Sequence, residues 1–297
     1  MGDRIVKRAI KPLDIEKAMP LLRMAVEEDF GQGDPSSEIT FAEDEIGRAF
    51  LVTREEIVVC GMELIRQVLK LYDEQLKLRV LIEDGCRANV ANRLGVIEGP
   101  IRKMLSAERV VLNFLQHLCG ISTMTWKFVN AIRGTKSKIY DTRKTTPGWR
   151  ELEKYAVRCG GGFNHRMTLG EAVMFKDNHW AELGKKFEPR LHKMVHEARQ
   201  KKGVKFIAVE VDHVDDQLDR VLTVPGIDVI LLDNMGQWQL KHAVEMRNHI
   251  CGQKPLLEAS GGVTLNNILA IAECGVDRIA IGAITHSAVA VDIGLDR

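Results

Sequence analysis

At 297 residues the chain is about twice the usual domain length, which favours one large α/β barrel or two domains over a single small core. Lys and Arg number 42 against 41 Asp and Glu, a net charge of +1, and 45% of residues are hydrophobic; this balance argues against dedicated nucleic-acid or membrane-surface binding but leaves room for a local basic pocket. The longest purely aliphatic run, Val229 to Leu232, is far short of the roughly 20 residues of a membrane helix, the first residues lack the apolar stretch of a signal peptide, and six cysteines without a C-x-x-C point to buried thiols rather than a zinc cage or disulfide framework, so a cytoplasmic location is expected.

The first hundred residues change character often. Ile15, Ala18, Met19, Leu22 and Val26 recur at helical spacing, and Gly31 to Pro35 stops that helix. Two strands (Arg48–Thr53, Ile57–Cys60), a helix (Met62–Tyr72) and a further strand (Leu76–Ile82) are predicted next, a mixed order typical of an α+β domain. A long helix is then predicted from Ser106, read as its N-cap, through Val110, Val111, Phe114, Leu115 and Leu118. Gly120 interrupts the pattern, which resumes through Trp126, Val129 and Ile132 until Gly134; the domain boundary is placed in or beside this helix.

From Ser137 the rhythm becomes regular. Six short apolar runs, Ser137–Tyr140, Ala172–Phe175, Phe206–Val211, Val229–Leu232, Leu256–Ala259 and Arg278–Ile281, are mostly separated by helix-length segments and predict a parallel sheet. Polar residues follow each run: Asp141-Thr142-Arg143-Lys144, Lys176-Asp177-Asn178-His179, Asp212 with Glu210 just inside, Asp233-Asn234, Ser260-Gly261-Gly262 and Gly282-Ala283. In parallel α/β barrels the carboxyl ends of the strands share the face that carries the active site. Ser260 to Gly262 precedes a helical pattern over 264–274, so a phosphate site at a helix N-terminus is expected there, faced by Gly282 and Ala283.

Between Arg133 and Asp177 ten Lys and Arg face five Asp and Glu, a local excess in a chain that is nearly neutral overall. Arg150, Lys154 and Arg158 recur at i, i+4 and read as a solvated helix face. Arg143, Lys144, His165, Arg166 and Lys176 instead sit beside glycines or strand ends, where a guanidinium fork suits a carboxylate or phosphate. Glu210 and Asp233 end successive strands, a placement that suits either Mg²⁺ held through oxygen ligands or ion pairs with nearby cations. His192 and His196 have the spacing of a metal pair but read as an exposed helix, with Lys193 and Arg199 beside them and no third ligand.

Several of these segments, in this order and spacing, closely resemble the quinolinate phosphoribosyltransferase family: Asp141 to Gly148, Gly160 to Arg166, Lys176 to His179, Val209 to Asp212, Leu231 to Asn234, Glu258 to Gly262 and Gly282 to Ser287. Glu28 to Asp34 and the segment from Asp84 to Pro100 resemble the family's first domain more loosely. The resemblance implies an N-terminal α/β sandwich over 1–118, an incomplete, open parallel α/β barrel over 119–285, and a tail over 286–297 that packs back on the first domain. It implies transfer of phosphoribosyl from phosphoribosyl pyrophosphate to quinolinate with decarboxylation, using Mg²⁺, in de novo NAD biosynthesis. Arg109, Arg143, His165, Arg166 and Lys176 would then hold quinolinate, with Arg109 reaching in from a partner chain, so that a homo-oligomer of at least two chains shares its sites. Lys144 and Lys176 would act at the pyrophosphate and on ring-side charge. Glu210 and Asp233 would face the ribose and the metal, in part through water, and Ser260, Gly261, Gly262, Gly282 and Ala283 the 5′-phosphate. A related enzyme on another acceptor is the first alternative, and three arginines argue against a monocarboxylate. A non-catalytic phosphometabolite-binding scaffold is the second, against which Lys144, Lys176, Glu210 and Asp233 speak.

Overall fold

The structure is a computed structural model and describes residues 9–297. Its strands are β1 (Ile46–Thr53), β2 (Ile57–Val58), β3 (Lys77–Val80), β4 (Arg87–Ala88), β5 (Arg93–Pro100), β6 (Lys138–Tyr140), β7 (Ala172–Phe175), β8 (Phe206–Val211), β9 (Val229–Asp233), β10 (Leu256–Ser260), β11 (Arg278–Ala280) and β12 (Ile293–Asp296). The first five helices are α1 (Ile15–Phe30), α2 (Pro35–Thr40), α3 (Met62–Tyr72), α4 (Ile101–Ala131) and α5 (Arg150–Cys159). An antiparallel sheet has the order β12-β1-β5-β3, β2 pairs with β4, and a six-stranded sheet has the order β6-β11-β10-β9-β8-β7. The six-stranded sheet is parallel throughout, with β6 and β7 as its two edges. The fold is therefore an N-terminal antiparallel-sheet domain followed by an open parallel α/β sheet.

Contacts divide the chain into two compact units, one of residues up to Trp126 with Lys144–Gly162 and Ala283–Arg297, the other of Lys127–Arg143 and Phe163–Gly282. These units cut across the sequential division at 118/119. Within the first unit α5 is anchored by Tyr155 Oη, which donates to Asp84 Oδ2 at 2.7 Å, and by His117 Nε2, 3.1 Å from the buried Glu153. In the same unit the last residues complete the first sheet, Leu295 and Asp296 pairing with Leu51 and Phe50.

The long helix differs from the sequence expectation at two points. It starts at Ile101, directly after Pro100 ends β5, so Ser106 is interior and its hydroxyl donates to the Arg102 carbonyl at 2.9 Å instead of capping. It also runs unbroken through Gly120. A Cβ there would stand 2.2 Å from the Val289 carbonyl oxygen, so this glycine serves a close approach of the C-terminal segment, not a break. Arg109 consequently lies in the helix body.

In the parallel sheet, register fixes which residues share a face. Met174 aligns with Ala208, Ala208 with Val229, and Glu210 with Leu231, so Phe206, Ala208, Val229, Leu231 and Met174 form one apolar floor. Two residues further along each strand, on that same face, stand Lys176, Glu210 and Asp233. On β10 the same alternation gives Leu256, Glu258 and Ser260.

Candidate active site

The rim begins with a charge pair. Lys176 Nζ lies 2.5 Å from Oε2 of Glu210, whose side chain is buried. The helix that follows Lys176 is tied to the same strand end, because Trp180 Nε1 donates to the Glu210 carbonyl at 2.9 Å. On the next strand Asp233 accepts from Ser260 Oγ and from Asn234 Nδ2, each at 2.7 Å. Asn234 itself has φ of 51°, and its backbone N–H donates to the Ser260 carbonyl at 2.8 Å, which locks the two strand ends together.

The Gly261-Gly262 turn leaves left-handed backbone at φ of +86° and +59°. A Cβ on Gly261 would stand 2.1 Å from Asn234 Oδ1, so only glycine fits. The helix expected right after this turn starts only at Ile268. Asn267 holds an intervening turn, accepting from the Thr264 N–H at 2.8 Å and donating to the Gly262 carbonyl at 2.9 Å. The anion-binding potential here therefore belongs to the glycine turn itself and not to a helix N-terminus.

The cations meet in the segment after Phe163. Phe163 bridges Tyr140 in parallel, and the Asp141 carboxylate, fully buried, accepts from His165 N–H at 2.7 Å and from Asn164 Nδ2 at 2.6 Å. Arg166 is buried, and its guanidinium donates to the Ala172 carbonyl at 2.7 Å. Burial, and then the like charge of Arg143 nearby, push the Arg166 pKa down from its ordinary value, although a guanidinium stays protonated at neutral pH. Two arginines are thus held close in a partly desolvated place, an arrangement that favours a ligand with more than one negative charge.

Beneath them lies a network that no sequence role anticipated. His165 Nδ1 accepts from the Arg166 N–H at 2.9 Å, while Nε2 lies 3.2 Å from Oε1 of Glu258. Arg278 Nε lies 2.6 Å from Glu258 Oε2. Both contacts to Glu258 are off the ideal hydrogen-bond line; that of Arg278 is an ion pair, and that of His165 is a polar contact from the ring edge. Burial opposes the Glu258 charge, but His165 and Arg278 outweigh it and hold this carboxyl below the usual glutamate range. The Arg278 guanidinium also lies 3.8 Å from the centre of the Tyr140 ring. The sequence did carry a signal for this layer: Glu258 stands two residues before Ser260, and in a strand that spacing means the same face.

Other expected site residues belong to the first unit. Arg109 is exposed on α4, Lys144 is exposed with its carbonyl accepting from Thr285 Oγ1 at 2.7 Å, and Ala283 begins the short helix Ala283–His286. Gly282 follows β11 in the second unit. The solvated face expected of α5 is overturned: Lys154 is fully buried, as are Leu152, Tyr155 and Ala156 around it, because this helix is packed on nearly every side. His192 and His196 are exposed on the helix Phe187–Arg199. In the first unit the Cys60 and Cys159 thiols and the Asp84 carboxylate lie within 4.8 Å of one another. Burial pushes the Cys60 and Cys119 thiols up, and protonated thiols are poor ligands and nucleophiles. Asp84 is meanwhile engaged in capping α3, accepting from the Gly61 and Met62 N–H groups at 3.0 and 3.1 Å. A cleft of about 770 Å³ also lies in the first unit, but Asp34, Glu38, Glu43, Asp44 and Asp73 line it, a poor surface for anionic substrates.

Residues 121–296 match the family model of the quinolinate phosphoribosyl transferase C-terminal domain, and residues 34–119 that of its N-terminal domain. The chain belongs to the quinolinate phosphoribosyltransferase family. It is 40% identical over 289 residues to the nicotinate-nucleotide pyrophosphorylase [carboxylating] of Mycobacterium leprae (strain TN), covering 95% of this chain and 98% of that relative. The probable nicotinate-nucleotide pyrophosphorylase [carboxylating] of Bacillus subtilis (strain 168) is 38% identical, over 91% of this chain and 89% of its own length. Among solved structures, the nicotinate-nucleotide pyrophosphorylase from Francisella tularensis superposes with a TM-score of 0.87 at 36% identity, covering 97% of this chain and 99% of that one.

The donor chemistry of the rim fits Mg²⁺. Glu210 and Asp233 are carboxylates on one face of adjacent strands, and Ser260 adds a hydroxyl. Each carboxylate already has a protein partner, so the metal would be held through water and substrate oxygens, as Mg²⁺ prefers, rather than in a closed protein cage.

Proposed function

We propose that the rim of the parallel sheet is where this chain carries out the activity of its family, quinolinate phosphoribosyl transfer in de novo NAD biosynthesis. In that reaction the pyridine nitrogen of quinolinate attacks the anomeric carbon of phosphoribosyl pyrophosphate, pyrophosphate leaves, and loss of the 2-carboxylate as CO₂ gives nicotinate mononucleotide. The observation that carries the assignment is the row of Lys176, Glu210, Asp233 and Ser260 at the carboxyl ends of adjacent parallel strands, with the buried Arg166 and the charge of Arg143 in the same unit to meet a dicarboxylate. Arg143 and Arg166 pair with the two carboxylates, His165 shapes the same subsite, and Arg109 completes it from a second copy of the chain. The functional unit is then at least a dimer with shared sites.

Lys176 stands beside the reacting centre, and Glu210 holds its ammonium toward the incoming ring. Loss of pyrophosphate leaves positive charge on the ribose, which Glu210 and Asp233 stabilise electrostatically. Lys144 balances charge on the pyrophosphate, while Ser260, Gly261 and Gly262, with Gly282 and Ala283, hold the 5′-phosphate. Mg²⁺, when bound, neutralises charge on the leaving group. The cations orient the pyridine so that its nitrogen faces the anomeric carbon, an effect of positioning more than of acid or base catalysis. Among the described residues no helix is long and apolar enough to cross a membrane, and the near-neutral charge supports a cytoplasmic enzyme without nucleic-acid partners. The deciding assay supplies purified protein with Mg²⁺, phosphoribosyl pyrophosphate and either quinolinate or nicotinate, and follows mononucleotide and CO₂. Product from quinolinate is expected; equal turnover of nicotinate would move the reading to another acceptor, and binding without product would move it to a scaffold.

A further inference from the structure

We infer that Glu258 and Arg278 are positioning residues for the acceptor, acting through His165 on Arg166. The two are register partners on β10 and β11, both buried, and stand one step below the rim that carries Ser260. Packing alone does not call for charge at this depth: Leu231, the register partner of Glu258 on β9, fills the equivalent place with an apolar side chain. A buried ion pair gives little or no net stability over a hydrophobic substitute.

What the pair does is legible in the protonation of His165. A backbone N–H can only donate, so the Arg166 amide fixes the lone pair on Nδ1, and the ring proton must sit on Nε2, facing Glu258. Both ring nitrogens are therefore engaged within the protein, and the imidazole spans the gap between the Glu258 carboxylate and the Arg166 main chain. The edge of the ring is steadied against Phe206, with centroids 5.1 Å apart at 72°. From the other side Asp141 holds the His165 N–H. His165 is thus fastened through its main-chain N–H by Asp141, just past β6, and through its ring by Glu258 on β10, and the ring in turn holds the Arg166 N–H, so its position sets where Arg166 stands. Arg278 keeps Glu258 ionised and aimed.

This inference rests on the reading that Arg143 and Arg166 take the carboxylates of quinolinate. Its test compares Glu258→Leu, Glu258→Gln and Arg166→Ala by steady-state kinetics with each substrate varied, and reads the His165 tautomer by ¹⁵N NMR. The wild-type ring is expected as Nε2–H. Glu258→Leu, in a protein that still folds although the unpaired Arg278 lowers its melting temperature, should raise the quinolinate KM tenfold or more and leave the phosphoribosyl pyrophosphate KM within twofold. Glu258→Gln, which still accepts from Nε2–H, should recover part of the loss. If Glu258→Leu does not fold, the double variant Glu258→Leu/Arg278→Met, which leaves no unpaired charge, takes its place with the same expected split. An Nδ1–H ring, equal rises in both KM values, or an unchanged quinolinate KM in a folded variant would overturn the inference. If Arg166→Ala leaves the quinolinate KM unchanged, the subsite reading itself fails; if only the Glu258 variants are silent, the inference alone does.

Discussion

In the antiparallel sheet of β1, β3, β5 and β12, neighbouring strands run in opposite directions, so strand ends alternate between two edges and charged residues pair locally. Arg48 faces Glu98 and Arg54 faces Asp296, all with substantial exposure. In the parallel sheet of β6 to β11 every carboxyl end lies on one edge, and the polar residues that terminate six strands accumulate there. Chain direction alone converts scattered polar residues into a site. The cost is desolvation: Glu210 and Glu258 are buried charges with specific partners, whereas Arg54 and Asp296 trade one hydrated state for another.

The largest expected contrast comes from the cation pair. Arg166→Ala should lower kcat/KM for quinolinate by several hundredfold, the order of about 3–5 kcal/mol set by leaving a charge unpaired in a buried place. The same arithmetic makes the wild-type enzyme prefer quinolinate over nicotinate by a similar factor, and Arg166→Ala should narrow that gap; competition between the two acceptors measures both. Next, Glu210→Ala or Asp233→Ala should reduce kcat by about 10²–10³-fold, typical of a lost electrostatic contact to the transition state. Quinolinate affinity, read by calorimetry, should change far less; a folded variant with normal turnover would reduce these carboxylates to structural partners. Mixing inactive Arg109→Ala chains with inactive Lys144→Ala chains should restore about a quarter of wild-type activity, since half the dimers are mixed and each has one intact site. Full activity from a stable monomer would end the shared-site reading.

A smaller effect is expected on acid stability. Glu258 and Asp277 both have pKa values held below their ordinary range, Asp277 despite its burial through the Leu257 N–H and the Arg247 guanidinium. A depressed carboxylate stabilises the fold above its unfolded pKa and loses that contribution as pH falls through the folded one. Melting temperature should therefore hold above about pH 4.5 and drop below it, and Glu258→Gln should flatten the drop. Arg54→Ala, at the exposed antiparallel edge, should leave the melting temperature unchanged in physiological salt.

The parallel half was readable because its strands announce themselves: each apolar run ends in polar residues, and the six predicted runs match β6 to β11 within one or two residues. In the first half Met62–Tyr72 stands out for the same reason, as its apolar stripe is strong. β5 was missed because Arg93 to Pro100 contains two glycines and no alternation, and β12 because four residues after a polar stretch carry no pattern of their own. Both are strands only because β1 lies alongside. Within the site, side chains at strand ends could be named from sequence, and the spacing of Glu258 from Ser260 carried its face, but its meeting with Arg278 and His165 was not legible. These three residues are distant in sequence; strand register brings Glu258 and Arg278 side by side, and only the folded chain brings His165 to them.

The pairing of β12 with β1 also bears on how the protein is made. Arg54 and Asp296 are 242 residues apart, so one edge of β1 stays without its partner until the codons of β12 have been translated. The first sheet cannot be completed domain by domain as synthesis proceeds, and during that interval its open edge is a template for pairing with another nascent chain. A truncation just before β12 would leave the parallel-sheet rim intact in sequence, yet it would release a protein with a permanently exposed strand. The phenotype of such a truncation should be aggregation during expression rather than a catalytic defect.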